Sequence, residues 1–335
     1  MVDGYKNQAP EKLQGKYQAM VVCCILGIGG LVSWNSMLTI ADYYYQVFPL
    51  DLTTKGHGGI GPYIGLCTIV ASFGIADATV KGGLVGDLSL MCPEIMQSLM
   101  AGSALAGGLT TALRLITKAV FEKSNGSLRK GAMIFLAIST FIELLCVILY
   151  AYIFPKLPIT NDYSKNQRLS KKELLLQNID HAVNLFLIYV LTLSIFPGFL
   201  YENTGQHGLG TWYALILVAV YNFWDLVGRY LPLVKWLNLE NRKALTIVVL
   251  SRYFLVPAFY FTAKYGDKGW MIMLISVLGL TTGHLTVCII TIAPKGYMGP
   301  EKNALGNLLV TFILGGAFTG ISLGWLWLVG KKNAL

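Results

Sequence analysis

The chain has 335 residues, 55% of them hydrophobic and only 13% charged, with a formal net charge of +9. Soluble globular domains carry about 25% charged residues, so this composition excludes a water-soluble fold and points to a membrane. The positive balance does not mark a nucleic-acid-binding protein. Lys and Arg sit in short segments between apolar runs, as the loops of membrane proteins do, and form no basic stripe among surface aromatics.

The polar start of the chain carries Lys6, Lys12 and Lys16 and leads into a long apolar run. This pattern predicts a cytosolic tail and a first transmembrane helix rather than a cleaved signal peptide. A bilayer core takes about 20 apolar residues per helix. Nine segments qualify: 19–41, 60–82, 95–120, 132–154, 181–201, 211–230, 244–263, 270–293 and 305–330. The connections are short except 155–180, which holds Lys156, Lys165, Arg168, Lys171 and Lys172. That basic segment is predicted to be a cytosolic loop between a four-span half, 1–154, and a five-span half, 181–335. The basic loops 155–180 and 231–243, and the loop 202–210 without Lys or Arg, place the N-terminus in the cytosol. Lys123, Arg129 and Lys130 in the loop 121–131 oppose that orientation.

In the first span, Ser33-Trp34-Asn35-Ser36 sets polar groups beside an indole. The indole offers a flat stacking surface and the amide offers two donors and an acceptor, a combination suited to a polar molecule with a planar ring. The second span carries Asp77 and Lys81, an acid and a base four residues apart on one helix face. Arg114 and Glu143 follow in the third and fourth spans. The sixth holds Asn222-Phe223-Trp224-Asp225-Leu226-Val227-Gly228-Arg229, which repeats the spacing in Asp225 and Arg229. A charge at the centre of a bilayer costs at least ~2.5–3.5 kcal/mol, so ionisable residues there mark a functional path or a structural lock. Arg252 lies just before Pro257 and has two readings, a staple for a kinked helix or part of a path. His284 is either a hydrogen-bonded core histidine or a proton relay. In the last span Gly316, Gly320 and Gly324 share one face, which predicts close helix packing, with hinges beside a substrate path as the sharper alternative.

Four scattered histidines, and six cysteines without ligand spacing, give no metal site, and the cysteines read as packing residues rather than disulfides. No nucleophile elbow, zinc-protease motif or Walker loop is present. The residues therefore predict no enzyme and no cofactor, but an all-α polytopic bundle with a charged interior, either a secondary transporter or a channel.

Several motifs, in order along nearly the whole chain, resemble those of the equilibrative nucleoside transporters, in detail the plant members. Gly30-Leu31-Val32-Ser33-Trp34-Asn35 is similar to the family's Leu-Pro-Trp-Asn segment, and Asn222 to Arg229 to its Asn-x-x-Asp-x-x-Gly-Arg signature. Phe196-Pro197-Gly198, Arg252-Tyr253-Phe254-Leu255-Val256-Pro257 and Ala293-Pro294-Lys295 are further matches. The resemblance implies a major-facilitator-like fold of eleven spans, six then five, that carries nucleosides and often nucleobases by alternating access. It implies that Leu31 and Trp34 line the ligand cavity, with Trp34 stacking on the base. It also implies that Asp225 and Arg229 contact or order the ribose, with Asn222 one turn away. Asp77, Phe196, Arg252 and His284 are carried as gating, packing or proton-relay residues.

The chain departs from that pattern in three places. It has nine predicted spans rather than eleven, two being absent after Phe48-Pro49. Lys81 stands where the family usually has a glutamine that hydrogen-bonds the base, and a lysine donates but does not accept. Thr282 precedes Gly283 where asparagine is common. The resemblance thus implies a transporter of nucleosides such as adenosine and uridine, in the plasma membrane or an internal membrane, with proton coupling compatible with the interior acids. Its alternatives are a shortened chain that does not transport, and a transporter of another polar metabolite bound through Lys81.

Overall fold

The computed structural model describes residues 16–40, 60–89, 93–121, 127–153, 156, 169–196, 212–265, 269–297 and 299–326. Among them every regular element is a helix: α1 Lys16–Thr39, α2 Ile60–Ser89, α3 Pro93–Phe121, α4 Ser127–Tyr152, α5 Lys171–Gln177, α6 Ile179–Ile195, α7 Trp212–Tyr230, α8 Arg242–Ser251, α9 Leu255–Tyr265, α10 Trp270–Ile292 and α11 Pro300–Leu326. A helix stands at each of the nine expected spans. Among the described residues seven stretches are long and apolar enough to cross a membrane, α8 and α9 counting together as one, and α5 with α6, bent by 74°, gives an eighth when taken as one broken span. The expected span 60–82 lies within α2, a helix of 30 residues. The fold is an all-α polytopic membrane protein.

Two local differences from the sequence reading have plain causes. The segment expected to be loop up to residue 180 is helical from Lys171. Ser170 caps α5 reciprocally with Glu173, each side chain taking up the other's backbone N–H, so the chain becomes helical despite its charge. The span 244–263 is broken into α8 and α9 by a tight 3₁₀ turn, Arg252–Phe254. Pro257 has no N–H and its ring crowds the carbonyl four residues back, at Tyr253, so the turn forms there.

The packing is that of a membrane bundle, in which small residues set the contacts. α1 lies against α3 and α4, α2 against α11, α6 against α11, and α7 against both α10 and α3. α4 has an outward face of Met133, Phe141, Leu144 and Val147, whereas α10 is the most enclosed of the candidate spans. Gly316 and Gly320 of α11 sit on the backbone carbonyls of Phe186 and Val190, so the glycine face predicted in the last span is a close-packing surface. One end of the bundle carries three polar ties, the last of which joins the first four helices to the later ones. Lys16 pairs with Glu94 at 2.9 Å, Arg242 with Asp180 at 3.0 Å, and Asn303 donates to Asp87 at 2.9 Å.

Candidate functional site

Asn222, Asp225 and Arg229 fall at i, i+3 and i+7 on α7 and are all buried, while Phe223 on the opposite face is exposed. That buried face meets α3 in an antiparallel seam with three levels. Lys118 of α3 lies over the ring of Trp212, 5.0 Å from its centroid. At the middle level, the Asn222 amide donates to the carbonyl of Gly107 at 3.1 Å and to Thr111 Oγ1 at 2.8 Å. At the third, Arg229 Nη1 donates to the carbonyl of Met100 at 2.8 Å, and Gln97 donates to the Arg229 carbonyl at 3.4 Å. Because α3 belongs to the first four helices and α7 to the last seven, the signature segment lies where the two parts of the chain meet.

Asp225 and Arg229 form the expected pair: Nε and Nη2 of the guanidinium both lie 3.0 Å from Asp225 Oδ2. The other carboxylate oxygen, Oδ1, is buried and makes no hydrogen bond. α10 closes over the pair at Gly283, where any Cβ would collide with the Asp225 carbonyl and come within 3.0 Å of Oδ1. Glycine at 283 is therefore a condition for the geometry around Asp225.

Arg252 lies behind this pair and is 4% exposed. Its Nη2 donates to Thr282 Oγ1 on α10 at 2.7 Å and to Thr192 Oγ1 on α6 at 3.1 Å. Tyr189 and Tyr221 feel the charges of Asp225 and Arg229 and complete a polar cluster drawn from α6, α7, α10 and the 3₁₀ turn. Phe196 stacks on Tyr221 with centroids 4.3 Å apart and planes 20° apart, closing one side of the cluster. Tyr189 and Thr192 are members that the sequence reading missed. The available signal was their spacing of three inside an apolar run, which places both on one face of α6.

The first four helices carry a second polar group. Lys81 pairs with Asp77, the two side chains being 24% and 18% exposed. A Cβ on Gly30 would lie 3.9 Å from Lys81 Cε, so Lys81 rests against α1 one turn from Trp34. Leu31 and Trp34 are both half-buried. Glu143 of α4 is within electrostatic reach of Asp77, and Lys81 of Arg229. His284 stands apart from the cluster in its bonding, with Nε2 2.7 Å from the carbonyl of Leu237 in the segment after α7. Among the described residues no three His, Cys, Asp or Glu side chains gather as metal ligands. Of the resemblance motifs, Pro197 and Gly198 lie outside the described residues.

The arrangement gathers hydrogen-bond donors and acceptors in a seam between apolar helices. The nucleoside transporter family matches residues 67–180 and 158–329. Equilibrative nucleotide transporter 4 of Arabidopsis thaliana is 70% identical over 417 aligned positions covering 100% of both chains. Equilibrative nucleotide transporter 3 of the same plant is 65% identical with the same coverage. Equilibrative nucleotide transporter 7 is 48% identical across 97% of this chain and 98% of its own. The 417 aligned positions exceed the 335 residues of this chain by 82, so the first two alignments contain at least 82 internal positions at which this chain has no residue. That length accommodates two bilayer-spanning helices of about 20 residues each with their connections. The chain belongs to the nucleoside transporter family.

Proposed function

We propose that this nucleoside transporter carries nucleosides such as adenosine and uridine by alternating access, with the substrate held near mid-bilayer between the halves 1–154 and 181–335. The observation that supports this reading is the α3–α7 seam, in which Arg229 of the buried Asp225–Arg229 pair donates to the carbonyl of Met100. Asp225 accepts from the ribose hydroxyls, Arg229 holds that carboxylate in place, and Asn222 keeps α7 in register with α3. Leu31 and Trp34 form an apolar wall and stacking surface for the base, and Lys81 donates to it. The tied end is cytosolic, as is the N-terminus, and the plasma membrane is the site of action. The membrane-depth carboxylates Asp77 and Glu143 are compatible with proton coupling, which an imposed pH gradient across transporting vesicles tests directly.

Uptake of radiolabelled adenosine and uridine into transporter-deficient cells tests the substrate, and cross-linking tests the mechanism. Asp87→Cys with Asn303→Cys, in a background without the native cysteines, joins α2 to α11 at the tied end. Oxidation arrests uptake and reductant restores it if the halves must part there; undiminished uptake in the cross-linked protein contradicts alternating access by that route. One observation favours a second reading, a shortened chain that inserts without transporting: the internal positions that the full-length relatives have and this chain lacks. Restoring that segment separates the two readings, since a gain from no uptake to saturable uptake assigns the deficit to the missing helices.

A further inference from the structure

The polar cluster around Asp225 contains hydrogen-bonding capacity that its own side chains do not use. Arg252 bridges Thr192 and Thr282 through a single nitrogen, Nη2. Its Nε and Nη1 are buried without a hydrogen-bond partner, and so is Oδ1 of Asp225. Arg252 and Asp225 each feel the other's charge. They also flank consecutive residues of α10: Arg252 is bonded to Thr282, and Asp225 Oδ1 lies over the bare Cα of Gly283. A guanidinium serving only to staple α6 to α10 needs the one bridging nitrogen. Buried donors and acceptors left unmatched are costly, so the remaining groups call for a ligand that matches them.

The chemistry of that ligand follows from the two inventories. A guanidinium only donates and a carboxylate only accepts. A group that satisfies both must accept at one oxygen and donate at the same or an adjacent one, as a pair of neighbouring hydroxyls does. A phosphate dianion satisfies Arg252 but places its charge against Asp225. We propose that Arg252 is a specificity-determining residue that, with the free oxygen of Asp225, recognises the vicinal hydroxyls of the substrate sugar. The assignment rests on a nucleoside being the substrate, and it adds a second guanidinium, from outside the signature segment, to the sugar subsite.

The test is equilibrium binding by the purified full chain. Displacement of radiolabelled adenosine by adenosine, 2′-deoxyadenosine and 2′,3′-dideoxyadenosine gives a preference ratio that a merely structural role would not move. The unaltered chain prefers adenosine to the dideoxy compound by about tenfold or more, since a hydrogen bond to a charged group is worth at least that factor. Arg252→Gln lowers the ratio several-fold, chiefly by weakening adenosine, with the remainder held by Asp225, and Arg252→Lys leaves it intermediate. If Arg252→Gln does not fold, Thr282→Val, which removes the hydroxyl orienting Nη2, lowers the ratio in the same direction. Equal weakening of all three compounds assigns Arg252 to structure alone and overturns the proposal. Equal binding of all three by the unaltered chain overturns it while leaving the nucleoside reading intact, and no binding of any of them overturns both.

Discussion

Asn222 of α7 and Gly107 of α3 are joined by a hydrogen bond of 3.1 Å, and a Cβ at position 107 would lie 2.5 Å from the Asn222 side-chain oxygen. The amide of one part of the chain therefore seats on bare backbone of the other, at the middle level of the seam that positions Asp225 and Arg229. Replacing Asn222 by Leu removes two buried hydrogen bonds, including the one to Thr111. At about 1 kcal/mol each, the expected loss is about 2 kcal/mol. Thermal unfolding of the detergent-purified protein measures it.

The Asp225–Arg229 pair behaves as a unit. Both side chains are buried, with 7% and 8% exposure, so removing one partner leaves an uncompensated charge and costs about 3–5 kcal/mol. Asp225→Asn and Arg229→Met each fall in that range, whereas the double replacement is less destabilised than the sum of the two. A double-mutant cycle reports that coupling.

The role proposed for Trp34 is in binding rather than in the fold. It is half-buried, one turn along α1 from the glycine that faces Lys81. Loss of a stacking contact worth about 1–1.5 kcal/mol raises the KM for adenosine about tenfold in Trp34→Ala. Trp34→Phe retains most of the affinity. The maximal rate changes little in either, and initial-rate uptake at varied substrate concentration separates the two parameters.

Gly316 and Phe318 are two residues apart on α11 and differ in consequence. A side chain at 316 collides with the Phe186 backbone, while Phe318 is 76% exposed. Gly316→Leu costs about 1–3 kcal/mol from overpacking, and Phe318→Leu stays within about 0.5 kcal/mol of the unaltered protein. Unfolding midpoints of the two variants provide the comparison.

The features legible in the sequence are those that depend on local spacing. Apolar length predicts helices at all nine positions, the four-residue spacing predicts the pairs Asp77–Lys81 and Asp225–Arg229, and the glycine face of α11 predicts close packing. Contacts between helices distant in sequence are not legible in that way. Nothing in the segment around Asn222 says that its partners are Gly107 and Thr111, because which face of α7 meets which helix is decided by the packing of the whole bundle. Arg252 is a similar case. Its proximity to Pro257 predicts the break in the helix, yet the break is what turns its side chain toward Thr192 and Thr282. The helix over 171–177 was hidden by its lysines and formed by a capping box that a reading for spans passes over.

Saturable uptake decides whether this chain moves nucleosides through a site at Asp225. In transporter-deficient cells with the protein verified at the surface, the expected result is saturable, mutually competing uptake of adenosine and uridine that Asp225→Asn abolishes. Surface protein with no saturable uptake above vector controls would overturn the proposed function, and uptake that survives Asp225→Asn undiminished would overturn the proposed site.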